Sequence, residues 1–510
     1  MSDFQRRSAE LNDLLCVLNV LTWDARTQMP AGGGPARAQQ MATISALARE
    51  RLLDPAFERA AAEVQEAGMQ GDEVQRRAAA QALEAIAAMR RVPAELTHEL
   101  ALLKSEAQEL WIEARRTNDF ALFAPALTRM VELNRRLADA LGYEDHPYDA
   151  LLGTYEPGVT VATLTPLFER LRAHHVPLVQ ATKDRPPPRS DFLYRHYPAE
   201  AQKRFSLTMA EQFGYDVGRG RLDESAHPFE ISFTRGDVRI TTRFQETFLP
   251  AALFGTLHET GHALYEQGVR PELSRSVLTS DLLGLYAVGG ASYGTHESQS
   301  RLWENRIGRA RAFWDLHYPL LQDTFPEQLG DVSTGEFHRA VNRVQPSLIR
   351  VEADELTYDL HIMLRVDLER ALMAGELAVQ DLPEAWNARI EADLGLVVPS
   401  DAQGVLQDIH WSSGMFGSFP TYTIGNVMAS QFYEAAHAAL PDLEGSLARG
   451  DYAPLRGWLT KQIYQHGRTY SPHELLTRTT GGGLDPAPYL KYLTGKYSEL
   501  YGLSPQEAHA

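Results

Sequence analysis

The chain has 510 residues, 44% of them hydrophobic, and its 49 Lys and Arg against 67 Asp and Glu give a net charge of −18. This is the composition of a folded globular protein, long enough for two lobes or one large helical domain, and it excludes wholesale disorder. So acidic a chain repels phosphate backbones and carries no basic patch for nucleic acid, and a single cysteine, Cys16, excludes an internal disulfide.

The first residues, MSDFQRRSAELNDLL, mix charges, and no apolar run in the chain approaches ~20 residues. Neither a signal peptide nor a membrane span is expected, and a reduced, cytoplasmic protein is. Cys16 lies in the apolar run Leu14-Leu15-Cys16-Val17-Leu18 and reads as a core thiol, since a nucleophilic cysteine needs a polar, electropositive setting. Up to about residue 150, apolar side chains return every three or four positions, predicting amphipathic helices over 37–52, 55–67, 72–92 and 95–142. Gly32-Gly33-Gly34-Pro35 breaks the chain before the first of these, and Val92-Pro93 opens the last. A further helix is predicted over 160–181, after which Pro186-Pro187-Pro188 marks a stiff, extended boundary. Within a single domain over 1–510, that boundary suggests an N-terminal helical lobe over 1–185 and a second lobe over 186–510.

The one clear strand pattern is 230–245, where alternating β-branched runs flank Arg235-Gly236-Asp237. It predicts a hairpin, with that triplet as its turn rather than an adhesion motif. Helices are predicted again over 250–268, 294–318, 333–345, 349–374, 382–395, 424–439, 451–464 and 486–500. Gly481-Gly482-Gly483 lacks the Lys-Ser/Thr of a phosphate loop and is assigned to a connection. The fold class is therefore mainly α with a small antiparallel β-sheet inserted near the middle.

His-Glu occurs at 98–99, 258–259, 296–297 and 473–474, but only the second has another histidine four residues after the first, in His258-Glu259-Thr260-Gly261-His262. Four residues of helix turn ~400° and rise ~6 Å, so both imidazoles leave one face at a spacing suited to a single metal ion. Glu259 stands ~100° round the helix from His258, off the ligand axis but within reach of a water on that ion. Phe254, Leu257, Ala263 and Leu264 flank the motif, and unpaired His and Glu buried among them are costly without a metal. The motif points to a metal-dependent peptidase.

A third ligand has to come from elsewhere. Tyr265 and Gly268 stand where a metzincin has Gly and a third His, which excludes that class. Glu266 lies ~12 Å along the helix axis from His258, too far to share one ion. Glu272, Glu297 and Glu304 remain open, with Glu297 better placed because it opens a new helix after Gly294.

At this point a family resemblance enters. HETGHALYEQG (258–268), HESQSRLWEN (296–305), DVRITT (237–242), IRVEAD (349–354) and GVLQDIHW (404–411) resemble the zinc carboxypeptidases typified by the thermostable Taq carboxypeptidase. TWDARTQMPAGGGPAR (22–37), LDESAHPF (222–229) and FPTYTIGN (419–426) are similar too, so the resemblance covers nearly the whole chain. It implies an elongated helical peptidase fold with a deep groove, similar to that of neurolysin and angiotensin-converting enzyme, with a short sheet at the groove wall. It implies His258, His262 and Glu297 as ligands of one Zn2+ and Glu259 as general base, acting on peptides by removing single C-terminal residues with broad specificity. It also implies an intracellular homodimer. Chemistry alone leaves Co2+ or Mn2+ open beside zinc, since a site of two nitrogens and one oxygen admits all three. One segment departs from the family pattern: 276–290 is longer than the usual connection, and its Leu, Val and Tyr content raises the reading of a lid.

On this reading a tetrahedral oxyanion needs donors besides the metal. Tyr422, matching the family's late tyrosine, comes first, with His227 and His410 behind it. A free C-terminal carboxylate calls for a bidentate arginine; Arg350 and Arg239 both qualify, and the resemblance favours Arg350. Gln407, Asp408 and His410 would then line the end of the groove, with Asp408 alternatively orienting His410. An endo-acting, metal-dependent oligopeptidase is the alternative that keeps the same site.

Overall fold

A computed structural model describes residues 1–67 and 72–507, and the chain is mainly helical. It divides into two compact units. One comprises Met1–Met89, Pro188–Val341 and Met428–Gly483; the other comprises Arg90–Pro187, Asn342–Val427 and Leu484–Ala510. One passage between units falls at Pro187–Pro188, inside the stiff proline run. The first 89 residues, expected in a separate N-terminal lobe, instead fold with the segment that carries the metal motif. Among the described residues no helix is long and apolar enough to cross a membrane.

The first unit opens with a helix, Asp3–Thr27, for which the sequence reading makes no prediction. Ser2 and Gln5 close a capping box at its start. Phe4, Leu11, Leu15 and Leu18 pack with Phe57, Ala61, Ala82 and Ile86 and with Val277, Leu278 and Leu282 in one core. Cys16 is half-buried on this helix, its Sγ donating to the Phe233 carbonyl at 2.6 Å. Burial pushes the thiol up to about 12, so it stays protonated and inert.

Three strands form the sheet: β1 (Gly220–Glu224), β2 (Glu230–Thr234) and β3 (Asp237–Thr242). β2 and β3 are the expected antiparallel hairpin, turning at Arg235-Gly236. The sheet is not purely antiparallel, however: β1 lies parallel to the free edge of β3, giving the order β1-β3-β2. The run Gly-Arg-Leu-Asp-Glu lacks β-branched alternation, so its strand state comes from tertiary pairing rather than local preference.

The helix Leu249–Gly268 carries the metal motif, with Pro250 in its first turn where the missing N–H does no harm. Ala263 packs in a small core with Ala210, Tyr215, Leu222, Val238 and Ile240, which locks this helix against the sheet. Facing it is the helix Tyr293–Arg301, capped by Ser292, whose Oγ accepts the Thr295 N–H at 3.0 Å. That helix runs into a π-helical stretch, Leu302–Ile307, before Arg311–Thr324, so the helix predicted over 294–318 is interrupted. Gly261 explains how the two helices come so close. A Cβ there would lie 2.4 Å from the Gln299 carbonyl oxygen and 2.6 Å from Ser300 Cα.

The 276–290 segment folds as a short hairpin, β4 (Ser280–Asp281) with β5 (Tyr286–Ala287). Asn12 Nδ2 donates to Ser280 Oγ at 2.8 Å and Asn19 Nδ2 to the Ala287 carbonyl at 2.8 Å, pinning it to the first helix.

In the second unit the helix predicted over 95–142 is two helices, Ala94–Thr117 and Phe120–Leu141, separated where Asn118 takes a left-handed conformation (φ 56°). Helix Val161–Lys183 starts at a Thr160 capping box. Helix Glu355–Ala374 starts where Asp354 accepts the N–H groups of Leu356 and Thr357, so Arg350–Glu352 is a separate short turn rather than its first residues. Inside that helix Glu369 is fully buried, accepting from Tyr148 Oη at 2.7 Å, Trp411 Nε1 at 2.9 Å and the Gly417 N–H at 3.0 Å. Burial pushes its carboxyl up to about 7.

Candidate metal centre

His258 and His262 project from one face of the Leu249–Gly268 helix, and Glu297 from the facing helix meets them. Their ligand atoms all lie within 4.8 Å of one another, and among the described residues this is the group fit to hold a metal ion. Glu297 Oε2 is 3.5 Å from His258 Nε2 and 3.4 Å from His262 Nε2. Those separations are long for hydrogen bonds, but close to the ~3.3 Å between two donors each ~2.05 Å from a tetrahedral ion. Two imidazoles and one carboxylate are also a donor set typical of catalytic zinc. The residues fit a divalent metal.

Each donor is held from behind. His258 Nδ1 lies 3.0 Å from Glu304 Oε2, on the π-helical stretch. Arg301 Nε donates to Glu297 Oε1 at 2.6 Å and Ser300 Oγ to Oε2 at 3.1 Å. Arg309 Nη2 donates to Glu304 Oε1 at 3.0 Å. His262 Nδ1 lies 2.5 Å from His296 Nδ1, and His296 Nε2 lies 2.9 Å from Glu266 Oε1.

The electrostatics call for a cation. Burial disfavours charge on His258, yet Glu297 and Glu304 outweigh it and hold the ring up to about 10. Burial and the neighbouring His296 bring His262 down to about 3. Burial pushes the Glu259 carboxyl up to about 7. Against burial, Arg301 and His258 hold Glu297 well below the usual carboxylate range, and His258 and Arg309 hold Glu304 down to about 2. The positive charge that these buried carboxylates face where the two Nε2 atoms converge is thus a proton on His258, the place a bound cation would take.

The second unit holds a separate charged cluster. Arg350 is 8% exposed; its Nε and Nη2 lie 3.0 and 2.9 Å from Asp408 Oδ1, and its Nη1 donates to Tyr358 Oη at 3.1 Å. Arg365, fully buried, donates through Nε to Asp408 Oδ2 at 2.6 Å and through Nη2 to Gln407 Oε1 at 2.7 Å. Burial works against all three charges. Even so, the two guanidinium groups hold Asp408 far below the usual carboxylate range, while Asp408 keeps Arg350 firmly charged. Burial lowers Arg365 to about 10. Tyr422 Oη lies 3.4 Å from His410 Nε2, and burial lowers His410 to about 4.

The remaining residues singled out in the sequence fall into place less uniformly. Arg239 is engaged by Asp237, Nε to Oδ1 at 2.8 Å and Nη2 to Oδ2 at 2.9 Å, and lies over the rings of Trp23 and Phe233. That is the bracing arrangement within the hairpin. Gln407 Nε2 donates to the Leu348 carbonyl at 2.9 Å and its Oε1 accepts the Arg350 backbone N–H at 2.9 Å, so it props the arginine turn. Asp408 Oδ1 is 4.0 Å from His410 Nδ1 and grips two arginines rather than orienting that ring. His227 and Glu272 are exposed. Sequence reasoning missed His296 and Arg301 beside Glu297, and Arg365 with Tyr358 around Asp408. The first pair stood next to a suspected ligand and was legible there; the second has no local signal.

A mainly helical fold in which a His-Glu-x-x-His helix meets a carboxylate on a facing helix defines a metal-dependent peptidase. Comparison with known proteins narrows the class. Residues 3–497 match the carboxypeptidase Taq (M32) metallopeptidase family. The thermostable carboxypeptidase 1 of Thermus thermophilus is 43% identical over 98% of both chains, and the carboxypeptidase 1 of Bacillus subtilis 38% identical over 98% of this chain and 97% of its own. The crystal structure of the M32 carboxypeptidase from Deinococcus radiodurans superposes with a TM-score of 0.94 at 43% identity, covering 98% of this chain and 99% of that one. The Pyrococcus furiosus carboxypeptidase gives 0.92 at 35% identity, with 97% and 98% covered. The chain belongs to the carboxypeptidase Taq (M32) family and is a metallocarboxypeptidase.

Proposed function

We propose that the enzyme removes single amino acids from the C-termini of peptides with broad specificity, using zinc held by His258, His262 and Glu297. The observation that carries this reading is the convergence of three ligand atoms within 4.8 Å, with Glu259 next to His258 on the same helix. A divalent cation there would polarise a peptide carbonyl and acidify a water molecule. Cobalt or manganese would serve the same donor set.

The chain's own residues supply the rest. Glu259 is buried and carries no ligand role, so its carboxylate takes the proton of the attacking water and later delivers it to the leaving nitrogen. Glu304 accepts the His258 Nδ1–H and so turns Nε2 of that ring towards Glu297, where a bound cation would replace the proton on it. Tyr422 donates a hydrogen bond from its hydroxyl to the oxyanion. Arg350 anchors the substrate's C-terminal carboxylate. Asp408 accepts from its Nε and Tyr358 from its Nη1, with Nη2 2.9 Å from the same Asp408 oxygen, and the Nη1–Nη2 edge is the fork for that carboxylate.

The test is a mid-length peptide in free-acid and C-terminally amidated forms, incubated with metal-loaded enzyme and followed by mass. The free acid should shorten one residue at a time while the amide survives. Internal cleavage of the amide would replace this reading with an endo-acting oligopeptidase.

A further inference from the structure

We propose that a cavity in the second unit, with Arg370 and Glu169 on its wall, binds a free α-amino acid with an apolar side chain. That is the kind of molecule a carboxypeptidase releases. The site shares no residue with the metal centre or with the Arg350 cluster, so it stands whatever roles those residues have.

The cavity follows from the face that one helix presents. On Val161–Lys183, positions 161, 164, 165, 168, 169 and 172 recur at helical spacing and share one side. That side lines a cavity of about 220 Å³ against the helices Glu355–Ala374 and Leu382–Leu394. Drug-sized ligands take ~300–1,000 Å³, so there is room here for one small molecule. Part of the lining is apolar. Leu164, Phe168, Val366 and Tyr148 are buried side chains, and the Tyr148 hydroxyl is spent on Glu369 at 2.7 Å.

The rest of the lining is charged, and only part of that charge is matched. Arg172 Nη2 lies 2.7 Å from Asp367 Oδ2 and its Nε 3.3 Å from Asp393 Oδ2, while Arg389 Nη2 lies 3.3 Å from Asp367 Oδ2. These two arginines and two carboxylates answer one another. Arg370 and Glu169 are left over. Arg370 Nη1 donates to Thr165 Oγ1 at 3.1 Å, and among the described residues neither Arg370 nor Glu169 has an ion-pair partner. Thr165 and Glu169 are one helical turn apart, ~6 Å along the axis, so a guanidinium and a carboxylate face the same small space without pairing. One zwitterion completes both, with its carboxylate on Arg370, its ammonium on Glu169 and its side chain on the apolar wall. A plain anion would leave Glu169 unanswered, and a plain cation would leave Arg370 so.

Calorimetric titration of L-leucine into the full-length, metal-loaded enzyme tests the site. Isocaproate, which lacks the ammonium, and isoamylamine, which lacks the carboxylate, serve as ligands with one charge removed. Wild type should bind leucine, and each of the two cut-down ligands at least ~10-fold more weakly. Arg370→Met and Glu169→Gln should each weaken leucine binding ~10–100-fold. Their kcat/KM on a free-acid peptide, measured without added amino acid, should stay at the wild-type value. Glu169 is exposed, so Glu169→Gln keeps the fold and decides the matter if Arg370→Met does not fold. No saturable leucine binding below ~10 mM overturns the site. So does leucine binding that both variants leave unchanged, which would place the amino acid at the catalytic centre alone. Isocaproate bound as tightly as leucine overturns the amino-acid assignment, because the cavity would then take any small carboxylate.

Discussion

The two units each bury a knot of charge, and the knots are built on opposite plans. In the first, Glu259, Glu297 and Glu304 gather round two histidines, and the arginines that touch them approach from behind. The positive charge that these carboxylates face at the centre is the His258 ring. In the second, Asp408 is clamped between Arg350 and Arg365, so the protein provides its own neutralisation and keeps only the outer edge of one guanidinium for use. The first plan leaves room for a cation; the second leaves one guanidinium edge, which the proposed function assigns to a substrate carboxylate. What differs is which side of the charge balance the chain leaves unfinished.

The largest effect that separates the plans is on turnover. Glu259→Gln removes a proton acceptor but no ligand, so kcat should fall by ~10²–10⁴-fold while zinc affinity by chelator competition stays at the wild-type value. Retained activity would take the general-base role away from Glu259. In the second unit, the corresponding excision is Asp408→Asn. It leaves two buried guanidinium groups without their shared carboxylate and should destabilise the protein by about 3–5 kcal/mol in denaturant unfolding. A loss under about 1 kcal/mol would mean that water already relieves the cluster.

The plans also differ in how much of them is legible in the sequence. His258, Glu259 and His262 sit within one helical turn, where spacing alone fixes geometry, and Glu297 follows a Gly at a new helix start. Gly261 was visible as a letter, but its reason, the backbone of Gln299 and Ser300 pressed against it, is tertiary. Arg350, Arg365 and Asp408 are brought together from three places in the chain, so no window of sequence shows them as a unit. The Asp3–Thr27 helix escaped notice for a related reason. Asn12 and Asn19 lie on its buried face, held there by hydrogen bonds to Ser280, Ser232 and Ala287, and polar residues on an inward face blur the apolar period. β1 was likewise invisible because its pairing with β3, not its composition, makes it a strand.

A pH series on stability sharpens the comparison from within the second unit. Glu369 is buried without any cation donating to it, and its folded carboxyl stands at about 7, against ~4.3 for an unfolded glutamate. Below about pH 4 both states hold the proton and the group adds no pH dependence. Between about pH 4 and 7 the unfolded chain releases its proton while the folded one keeps it, so this contribution is lost as pH rises, by roughly 4 kcal/mol in total. Glu369→Gln should remove that slope, so the wild type should lose stability relative to the variant from pH 4.5 to 7.5, measured by urea unfolding. Parallel curves would show that Tyr148, Trp411 and Gly417 already hold Glu369 as a carboxylate at low pH.

The smallest effect is the most pointed, because it asks whether the fork left over in the second cluster is the carboxylate anchor. Arg350→Lys keeps the positive charge beside Asp408 and the packing near Phe419 and Tyr422, but replaces a planar edge with a single ammonium. Stability should therefore change little. Losing one of two charge-assisted hydrogen bonds to a carboxylate should lower kcat/KM on free-acid peptides by ~10–100-fold, mostly through KM. The amidated peptide supplies the internal reference: wild type and variant should treat it alike, since it has no carboxylate for the fork to hold. If the lysine enzyme handles free-acid peptides as well as wild type, the self-neutralised cluster is purely structural, and the anchor has to be sought at another arginine.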